Sequence, residues 1–554
     1  MPSIQDVLCP VRPGLPPCVA GLLRPGAFNH AATDPRLVET HISWLILAGP
    51  YAYKLKKPVD FGFLDFSTVE QRRADCEAEV ALNRRLCPDL YLGVVDVVER
   101  DGRFAVGPPG QPVEPAVWMR RLPARGMLPA LLERGAANDR LMVRLAEHLA
   151  AFHATAASGP GVDEHGTPAT LRANWEENFR QTEPFVGRVL SPAVRDAIRG
   201  YVDGFLAANQ SRLERRVATG RIRDGHGDLH TGSICVARRQ LYLFDCLEFN
   251  PRLRCGDVAA EVAFLAMDLR HLGRADLAYA FVDAYVRATG DSEVRESLEF
   301  YTCYRAYVRG KVLSLRLDAP GPDPAQAERL AEEARAYFDL AWAAAGGLPR
   351  RLVVATMGLP ASGKTTLARA LAGRLGLVHL SSDVVRKELA GLRATDHRPE
   401  AFGRGLYSRG MTMRTYAVLR RRAARWLRRG QSVVLDATYG QPTERAALRR
   451  LARSSGSYLV VLVCQADEAV LRARLAARAH DATSASDARP ALWPALRAAF
   501  AEPTELPEAV PVDTGQTLAA SAGHALARLR AAAPTHVRVA GAALGPTTET
   551  RAAT

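Results

Sequence analysis

The alternation of apolar and polar positions divides the first part of the chain into a strand-rich and a helix-rich region. Strand-like segments at His41 to Ala48 and Tyr51 to Lys57 meet at a Gly-Pro turn signal, and a helical pattern follows from about Thr68 to Leu86. From Asp139 to about Leu317 the spacing is mainly helical, apart from a polar strand-and-loop segment at Asp224 to Cys255. This order predicts a small sheet with one helix, followed by a helical region.

A second pattern begins near residue 350. A Pro- and Gly-rich break at Ala319 to Pro324 precedes a predicted helix from about Ala325 to Ala345. Short apolar runs then alternate with helices, which is typical of a parallel α/β sheet; the clearest runs are Leu352 to Met357, Val433 to Leu435 and Tyr458 to Val463. We expect a first domain at 1–320, a helical connector and linker at 321–349, a second domain at 350–533 and a disordered tail at 534–554.

Length and charge agree with this division. The 554 residues exceed the ~250 to 300 at which a single core stops growing. Residues 351–554 hold 30 basic and 15 acidic residues, a net charge of +15 that suits an anionic partner, whereas the first 350 residues carry a net charge of −1. An arginine-rich bias is the plainer explanation, because only six of the 73 basic residues are lysine. Each lysine therefore becomes a candidate for a special role.

Two further features of composition concern the cellular compartment. No run approaches ~18 apolar residues, and the first residues lack a basic start followed by an apolar run, so we expect a cytoplasmic protein. Nine scattered cysteines without a CxxC pair favour reduced thiols over disulfides or a zinc site.

The most specific motif runs from Gly358 to Thr365. Its sequence, Gly-Leu-Pro-Ala-Ser-Gly-Lys-Thr, matches GxxxxGK[ST] and lies between a predicted strand and a predicted helix, as a phosphate-binding loop requires. Lys364 would reach the β and γ phosphates, and Thr365 would offer its hydroxyl to Mg²⁺. The expected nucleotide-binding residues are Gly358, Pro360, Ala361, Ser362, Gly363, Lys364, Thr365 and Thr366.

Two carboxylates further along the chain extend this site. An apolar strand ends at Asp436, where such folds place an acid beside the metal ion. Asp383 follows another predicted strand and can take a proton from an acceptor hydroxyl, and Arg386, one turn later, can hold an anionic group. Helix capping is the alternative interpretation of both aspartates.

These residues resemble the small P-loop kinases that include gluconate kinase, zeta-toxin-type sugar-nucleotide kinases and polynucleotide 5′-kinase, whose members place an acceptor-binding Asp followed by Arg at this position. The resemblance covers roughly Leu352 to Gly515. The segment Leu471 to Arg478 resembles their arginine-bearing lid, which implies that Arg474 and Arg478 neutralise the transferring phosphoryl group. A solvated arginine helix is the alternative for either residue.

A second set of candidate residues lies between His226 and Asp257. The sequence His226-Gly-Asp-Leu-His is followed by a strand and then by Asp245, and two carboxylates separated by a short hairpin suit phosphoryl transfer. This segment resembles the aminoglycoside phosphotransferase and choline kinase group, relatives of protein kinases. The resemblance implies that Asp228 is the catalytic base and Asp245 a metal ligand, whereas Asp257 is expected to cap its helix.

Upstream, Tyr51-Ala-Tyr-Lys resembles the Val-Ala-Ile-Lys strand of the same group. The resemblance implies that Lys54 holds the α and β phosphates and pairs with Glu77 or Glu79 on the next helix; we place Glu77 in the site. Lys56 lies on the same face of the strand and is the alternative lysine. The group expects a metal-binding Asn five residues after the catalytic Asp, and here that position is Ser233, a weaker and shorter ligand.

The order of the two modules resembles bacterial bifunctional aminoglycoside phosphotransferase/ATP-binding proteins over nearly the whole chain, with further matches at Pro58 to Ser67 and Leu243 to Arg252. The implied fold is an α+β protein-kinase-like domain followed by an α/β P-loop NTPase domain with a parallel sheet. The implied cofactors are ATP and Mg²⁺. We expect an ATP-dependent phosphotransferase with two nucleotide-binding modules that acts on the hydroxyl of a small molecule such as a sugar.

Two other functions stay open. Ser233 motivates a regulatory, inactive pseudokinase in the first domain that gates the P-loop enzyme. The basic second domain and the Asp383/Arg386 pair motivate a nucleic-acid 5′-end kinase, which we do not favour, because the basic run Arg420 to Arg429 fits the charged face of an amphipathic helix better than a nucleic-acid patch.

Overall fold

The computed structural model describes residues 14–40, 42–60, 62, 64–318, 323–349, 351–398, 400, 403–478, 486–506 and 509–531. The chain divides into two compact units. The first unit comprises Met1–Leu171, Ser211–Leu265 and Ala280–Leu298, and the second comprises Arg172–Gln210, Ala266–Tyr279 and Glu299–Thr554. The predicted tail at 534–554 lies outside the described residues.

The first unit opens with six strands: β1 (Arg36–Glu39), β2 (Ser43–Ala48), β3 (Tyr51–Lys56), β4 (Tyr91–Arg100), β5 (Arg103–Val106) and β6 (Gln111–Arg120). They form one antiparallel sheet in the order β1-β2-β3-β6-β4-β5. The predicted hairpin is confirmed, because β2 and β3 pair from Ser43 with Lys56 to Ala48 with Tyr51. Alternate side chains of β3, Tyr53 and Leu55, are buried in an apolar cluster, as the pleat of a strand requires.

Two helices accompany this sheet, α1 (Pro17–Leu22) and α2 (Val69–Asn83). The predicted start of α2 is confirmed by a capping box, in which Thr68 and Gln71 each accept a hydrogen bond from the other's backbone N–H. The buried face of α2 carries two carboxylates, Asp75 and Glu79. Buried acids need charged partners, and those partners lie in the site described below.

The predicted helical region is also confirmed. Its helices are α3 (Leu128–Glu133), α4 (Asp139–Thr155), α5 (Pro160–Asp163), α6 (Pro168–Thr182), α7 (Pro192–Ala208), α8 (Gln210–Ala218), α9 (Pro251–Arg254), α10 (Val258–His271), α11 (Ala275–Thr289) and α12 (Glu293–Leu317). The polar segment forms β7 (Ile222–Asp224), β8 (Ile234–Ala237), β9 (Gln240–Leu243) and β10 (Cys255–Asp257), in which β8 pairs with β9 and β7 with β10.

Asp257 anchors the end of this polar segment. Its Oδ1 accepts a hydrogen bond from the Ala259 N–H at 2.8 Å, so the expected capping role at the start of α10 is confirmed. The fully buried Arg216 donates to both Asp257 oxygens at 2.6 and 2.7 Å and to Asp291 at 3.0 and 3.1 Å. Two carboxylates thus compensate one buried guanidinium.

The second unit contains β11 (Leu352–Met357), β12 (Val378–Ser381), β13 (Val433–Asp436), β14 (Tyr458–Gln465) and β15 (Ala509–Asp513). All five are parallel, in the order β12-β13-β11-β14-β15, so the expected parallel sheet is confirmed. Every residue of β11 and β13 is buried, as in strands covered on both faces. Because β11 is central, the loop that follows it lies in the middle of the carboxyl edge, where ligands bind in such sheets.

The remaining helices are α13 (Pro324–Trp342), α14 (Lys364–Leu375), α15 (Ser382–Leu389), α16 (Arg409–Arg428), α17 (Pro442–Ser454), α18 (Glu468–Arg478), α19 (Trp493–Ala498) and α20 (Leu518–Ala531). The basic run 420–429 belongs largely to α16, whose opposite face buries Tyr416, Leu419 and Ala423. Within the described ranges, no helix combines the length and the apolar character that a membrane crossing needs.

The core of the second unit includes residues that precede the strands of its parallel sheet by many positions in the sequence. Ala275 belongs to the same apolar cluster as Val353 and Val433. The Tyr279 ring meets Trp426 edge-on, with 5.4 Å between the ring centroids. The helical segment 266–279 is therefore packed into the unit that holds the parallel sheet.

Candidate functional site

The phosphate-binding loop connects β11 to α14. Gly358 has φ 141° and Gly363 has φ 80°, conformations that favour glycine. A Cβ on Gly358 would lie 2.5 Å from the Cys464 carbonyl oxygen, so the loop passes too close to β14 for a side chain. Lys364 is the first residue of α14, and its buried Nζ donates to the Leu359 carbonyl oxygen at 2.6 Å. A helix N-terminus and one buried ammonium group therefore face the space where phosphates bind in such loops.

All eight residues predicted to bind the nucleotide line cavities beside this loop. Each of them borders one or more of three cavities. The cavity of about 270 Å³ is bordered by Pro360, Ala361, Gly363, Lys364 and Thr365, that of about 280 Å³ by Gly358 and Ser362, and that of about 320 Å³ by Ala361, Gly363 and Thr366.

The cavity of about 270 Å³, which we call the acceptor cavity, brings together predicted residues that are far apart in sequence. Its lining includes Lys364, Thr365, Asp383, Arg386, Asp436 and Arg478. Its lining also includes the apolar residues Leu492, Leu496 and Phe500. The same small chamber is thus bordered by charged and by apolar side chains.

Asp436, the last residue of β13, is buried beside Thr365. Burial disfavours its charged form, but the nearby His379, a hydrogen bond with Thr365 and the ammonium of Lys364 outweigh that cost and lower the pKa of Asp436. The Nε2 of His379 lies 3.6 Å from Asp436 Oδ2. An ionised carboxylate next to a hydroxyl supplies the hard oxygen ligands that Mg²⁺ prefers. These residues fit the metal role expected for them.

Asp383 lies in the first turn of α15. Burial raises the pKa of its carboxyl group, partly offset by the charge of Arg386. Among the described residues, no group donates a hydrogen bond to this carboxylate. The cap residue of α15 is Ser381, and α17, which follows Asp436, is preceded by Gln441. Capping therefore explains neither Asp383 nor Asp436.

Arg386 is 6% exposed and lines the acceptor cavity. Its Nη1 donates to the Leu406 carbonyl oxygen at 2.9 Å and to Thr412 Oγ1 at 3.2 Å, and its guanidinium lies 4.8 Å from the centre of the Tyr407 ring. Within the part of the chain that the structure describes, no carboxylate lies at ion-pair distance, and its buried Nε has no hydrogen-bond partner. A buried cation that has no carboxylate at ion-pair distance suits an anionic ligand.

Asp487 joins two segments that border the acceptor cavity. Its carboxylate accepts a hydrogen bond from the Tyr407 hydroxyl at 3.1 Å, and lies 3.2 Å from His397 Nδ1 and 3.3 Å from the Nζ of Lys387. The side chains of Asp487 and Lys387 are 3% and 1% exposed. Asp487 was not among the residues expected from the sequence, because its partners lie about 80 to 100 residues away and no local motif marks it.

The two arginines of the predicted lid, both on α18, have different surroundings. Arg478 lines the acceptor cavity as well as the cavity of about 320 Å³. Arg474 lines only the latter, where its Nη2 donates to the Thr514 carbonyl oxygen at 2.8 Å. The expectation that both neutralise the transferring group is therefore corrected for Arg474, because its side chain is bonded to the residue that follows β15 and does not line the cavity that holds Asp383.

The second candidate site, in the first unit, is built around Lys54 on β3. The Nζ of Lys54 lies 2.9 Å from Glu79 Oε1 and 2.8 Å from Asp245 Oδ1. The prediction that Glu77 pairs with Lys54 is wrong, because Glu77 is exposed whereas Glu79 is fully buried. Residues two apart on a helix point in directions about 200° apart, so only one of them can face β3. The charge of Lys54 lowers the pKa of Asp245.

A network of hydrogen bonds holds the loop that carries Asp228. The His226 N–H donates to Glu261 on α10 at 2.9 Å, and the His226 ring nitrogen Nε2 is 2.9 Å from the Phe244 carbonyl oxygen. The other ring nitrogen accepts from the Asp228 N–H at 3.3 Å. His226 thus connects the Asp228 loop to the residue that follows β9, and the charge of Asp228 acts to raise the pKa of Asp245, against the larger effect of Lys54.

Ser233 has a different role from the one expected. It is 3% exposed, and its hydroxyl is directed at the carbonyl oxygens of His230 at 2.8 Å and Asp228 at 3.2 Å. Its oxygen also accepts from the His230 N–H at 3.1 Å. Because these contacts occupy the short side chain inside its own loop, the expected metal role is corrected to that of a structural brace.

Lys56, the alternative lysine, is fully buried and contacts Asp75, Glu79 and Glu248. Sequence reasoning missed Asp75 and Glu248. Asp75 lies one helical turn before Glu79 and so shares its face of α2, a signal that the helical period supplies. Nothing local marks Glu248, which lies far along the chain from Lys56.

Comparison with known protein families gives two matches. The model described as "Phosphotransferase enzyme family" matches residues 65–301, and the model described as "AAA domain" matches residues 353–503. Among curated relatives, the uncharacterized protein Rv2004c of Mycobacterium tuberculosis (strain ATCC 25618 / H37Rv) and the uncharacterized protein Mb2027c of Mycobacterium bovis (strain ATCC BAA-935 / AF2122/97) are each 35% identical over 487 residues. Each alignment covers 84% of this chain and 92% of the relative.

Two solved structures are each similar to part of the chain. A gluconokinase from Sinorhizobium meliloti 1021 is 22% identical, with a TM-score of 0.25, and the match covers 33% of this chain and 93% of that one. The GDP complex of aminoglycoside 2′-phosphotransferase-IIIa is 15% identical, with a TM-score of 0.36, and the match covers 56% of this chain and 94% of that one.

Proposed function

Because the chain belongs to the family of bacterial bifunctional aminoglycoside phosphotransferase/ATP-binding proteins, we propose that its C-terminal site transfers the γ-phosphate of ATP to the hydroxyl group of a small acceptor that also carries an anionic group. The kinase type of the enzyme and both expected folds, the protein-kinase-like α+β fold and the α/β P-loop fold, are confirmed by the two family matches. The acceptor and the roles of individual residues are our proposal.

The observation that carries this proposal is a pair of charged groups in the acceptor cavity that lack ion-pair partners within the described residues. Asp383 and Arg386 line the same chamber as Lys364 of the phosphate-binding loop. A carboxylate that accepts no hydrogen bond from the described residues is suited to receive a hydroxyl, and a buried guanidinium with no carboxylate at ion-pair distance is suited to receive an anion. Asp383 and Arg386 together suit an acceptor that carries both a hydroxyl and an anionic group, such as a hydroxy acid or a sugar acid.

The chemistry follows from these positions. Asp383 accepts the hydroxyl proton while the hydroxyl oxygen forms a bond to the γ-phosphorus and the bond from that phosphorus to the β–γ bridging oxygen breaks, which leaves ADP. Lys364 and Arg478 offset the charge that spreads over the transferring group. Thr365 and Asp436 would hold Mg²⁺, which neutralises phosphate charge when bound. Arg386 orients the acceptor through its anionic group.

The cavity of about 320 Å³ would take the nucleoside part of ATP. It is lined by Thr366, Arg474 and Gln516, among others. A guanidinium held flat by a backbone carbonyl provides a planar surface for a base. In this arrangement Arg474 contributes to nucleotide affinity, and Arg478 to the rate of transfer.

A panel of acceptors tests the proposal. We would measure transfer of labelled γ-phosphate from ATP with Mg²⁺ to gluconate and glycerate, to the neutral sugars glucose and glycerol, to aminoglycosides and to 5′-hydroxyl oligonucleotides. Transfer to a hydroxy acid, lost in Lys364→Ala and reduced at least 100-fold in kcat/KM in Arg386→Met, is the expected result. The matched control is Arg393→Met, which should change transfer less than twofold. Arg393 lies shortly after Arg386 in the sequence, but its side chain is 87% exposed.

Two outcomes would contradict this assignment. Equal transfer to neutral and anionic acceptors, with no effect of Arg386→Met, would show that the acceptor needs no anionic group. Transfer confined to oligonucleotides, with binding that weakens steeply as salt rises, would identify the nucleic-acid end kinase instead.

We further propose that the first domain, to about residue 320, is a second nucleotide-binding module, joined through a helical connector at 321–349 to the P-loop domain at 350–533. Lys54, Glu79 and Asp245 meet at ion-pair distances, which supports a site for ATP with Mg²⁺. In this module Asp228 is the proposed base and Asp245 the proposed metal ligand.

A regulatory role for this first module is the second candidate, and Ser233 favours it. The hydroxyl of Ser233 braces its own loop where the kinase group has a metal-binding Asn. Asp228→Asn distinguishes the two roles: unchanged total phosphotransfer would indicate a regulator, and loss of transfer to an acceptor that Lys364→Ala still phosphorylates would indicate a second enzyme.

A further inference from the structure

Two lysines on β3 share one carboxylate of α2. Glu79 Oε1 lies 2.9 Å from the Nζ of Lys54, and Glu79 Oε2 lies 2.5 Å from the Nζ of Lys56. Both oxygens of Glu79 are thereby used, and the side chain is fully buried. The orientation of the carboxylate that pairs with Lys54 is therefore set by Lys56.

Lys56 also contacts two further carboxylates. Its Nζ lies 2.7 Å from Asp75 Oδ2 on α2 and donates to Glu248, three residues after Asp245. One ammonium group, carried by β3, thus binds α2 and the segment Asp245–Glu248 at the same time. The Lys54 ammonium makes a parallel bridge, from Glu79 on α2 to Asp245.

The bridge made by Lys56 compensates a group of buried negative charges. Oxygens of Asp75, Glu79 and Glu248 lie within 4.8 Å of one another, and Lys56, among them, is 0% exposed. Carboxylates at this separation repel strongly in a buried location, because water does not screen them. Burial and these neighbouring carboxylates raise the pKa of Glu248 to about 8. Without the ammonium of Lys56, these carboxylates would have to take up a proton or move apart, and only the Lys54 bridge would still hold α2 to the segment Asp245–Glu248.

We propose that Lys56 is a positioning residue that locks α2 to the segment Asp245–Glu248, so that Lys54, Glu79 and Asp245 are in place before nucleotide binds. The inference rests on the proposed nucleotide-binding role of this site. In kinases that are regulated through the equivalent helix, the lysine–glutamate pair forms only when the helix is in position. Here a second, buried lysine holds the same glutamate, and α2 stays in position with or without nucleotide.

Hydrogen exchange of the α2 amides tests the lock directly. We would use the full chain with Lys364→Ala as the parent, which disables the P-loop site, and add Mg²⁺ with a non-hydrolysable ATP analogue. In the parent, nucleotide should change α2 exchange less than twofold. In Lys56→Met, α2 exchange without nucleotide should rise at least tenfold, and nucleotide should restore most of the protection.

Nucleotide affinity gives the second readout. Lys56→Met should weaken binding of a fluorescent ATP analogue at least tenfold, because part of the binding free energy is then spent on ordering α2. Asp75→Asn, which keeps Lys56 paired with two carboxylates, is the milder variant and should raise α2 exchange several-fold, so the test survives if Lys56→Met fails to fold. Lys57→Met, which removes a neighbouring lysine that pairs with Glu39, is the control and should alter neither readout.

The outcomes separate the lock from the proposed function. Strong slowing of α2 exchange by nucleotide in the parent, or unchanged exchange in both Lys56→Met and Asp75→Asn, would overturn the lock. If the parent binds no nucleotide, the proposed role of the site fails, while the comparison of α2 exchange without nucleotide still decides whether Lys56 holds the helix.

Discussion

Replacing Asp383 with asparagine should abolish most transfer at the C-terminal site without weakening the fold. Removal of a general base costs about 10²- to 10⁴-fold in kcat, or about 2.7 to 5.4 kcal/mol of transition-state stabilisation. Burial raises the pKa of Asp383, so its ionised form destabilises the folded state above the pKa of the unfolded chain. The neutral amide removes that penalty, and the free energy of unfolding at pH 7 should stay equal or increase.

Asp487→Asn is the matched substitution in the same cavity. We expect it to lower the stability of the fold and to leave most of the transfer activity intact. The carboxylate of Asp487 accepts from Tyr407 and lies 3.3 Å from Lys387, and both ion-pair side chains are buried. An amide would leave the Lys387 ammonium without its counter-charge, which costs about 3 kcal/mol of stability. Its effect on kcat should be smaller than tenfold, because Asp487 already has protein partners.

The assay combines two measurements on each variant. Steady-state transfer to the best acceptor of the panel gives kcat and KM, and thermal or urea unfolding at pH 7 gives stability. Asp383→Asn should lose kcat with KM for ATP within threefold of the parent value, and Asp487→Asn should lose stability. The reasoning is refuted if Asp383→Asn retains more than a tenth of the parent kcat, or if it destabilises the protein as much as Asp487→Asn does.

Three further predictions concern the loop, the buried ion pairs and pH. Gly358→Ala should abolish ATP binding to the C-terminal site, because its Cβ would meet the Cys464 carbonyl oxygen, whereas Gly523→Ala, in open space on α20, should leave binding unchanged in a calorimetric titration. Arg216→Met should cost about 3 to 5 kcal/mol of stability in urea unfolding at pH 7, because two buried aspartates lose their cation. The raised pKa of Asp383 means that kcat/KM should fall as the pH decreases through a value above 3.8, and a pH profile with no acid limb above that value would contradict the assignment of Asp383 as base.

The parts of the site that could be predicted from the sequence are those that lie close together along the chain. The phosphate-binding loop is eight consecutive residues, and the strands that flank it are short apolar runs, so local pattern was sufficient. The choice between Glu77 and Glu79 depends on the rotation of α2 about its axis, which is set by packing against β3. Helical periodicity narrowed the choice to two positions without deciding it.

Other features depend on contacts between distant segments, which no local pattern encodes. The absence, within the described residues, of a carboxylate at ion-pair distance from Arg386, and the hydrogen bond from Arg474 to Thr514, are properties of the folded arrangement. Ser233 illustrates a third case, in which the sequence correctly marks a departure from the kinase pattern. Only the hydrogen bonds of its hydroxyl show that the side chain braces the loop.

The composition of the second unit has a consequence for synthesis of the protein on the ribosome. Segments 172–210 and 266–279 belong to this unit, but its last strand and helix emerge roughly 250 residues after Tyr279, which takes about 10 to 50 s at ~5 to 20 residues per second. Trp426, which meets the Tyr279 ring in the folded protein, emerges about 150 residues after Tyr279, and the sheet is complete only later, so Ala275 and Tyr279 first stand in the nascent chain without these partners. Translation speed and holding chaperones should therefore influence the yield of this enzyme more than they would if each unit were one continuous stretch of chain.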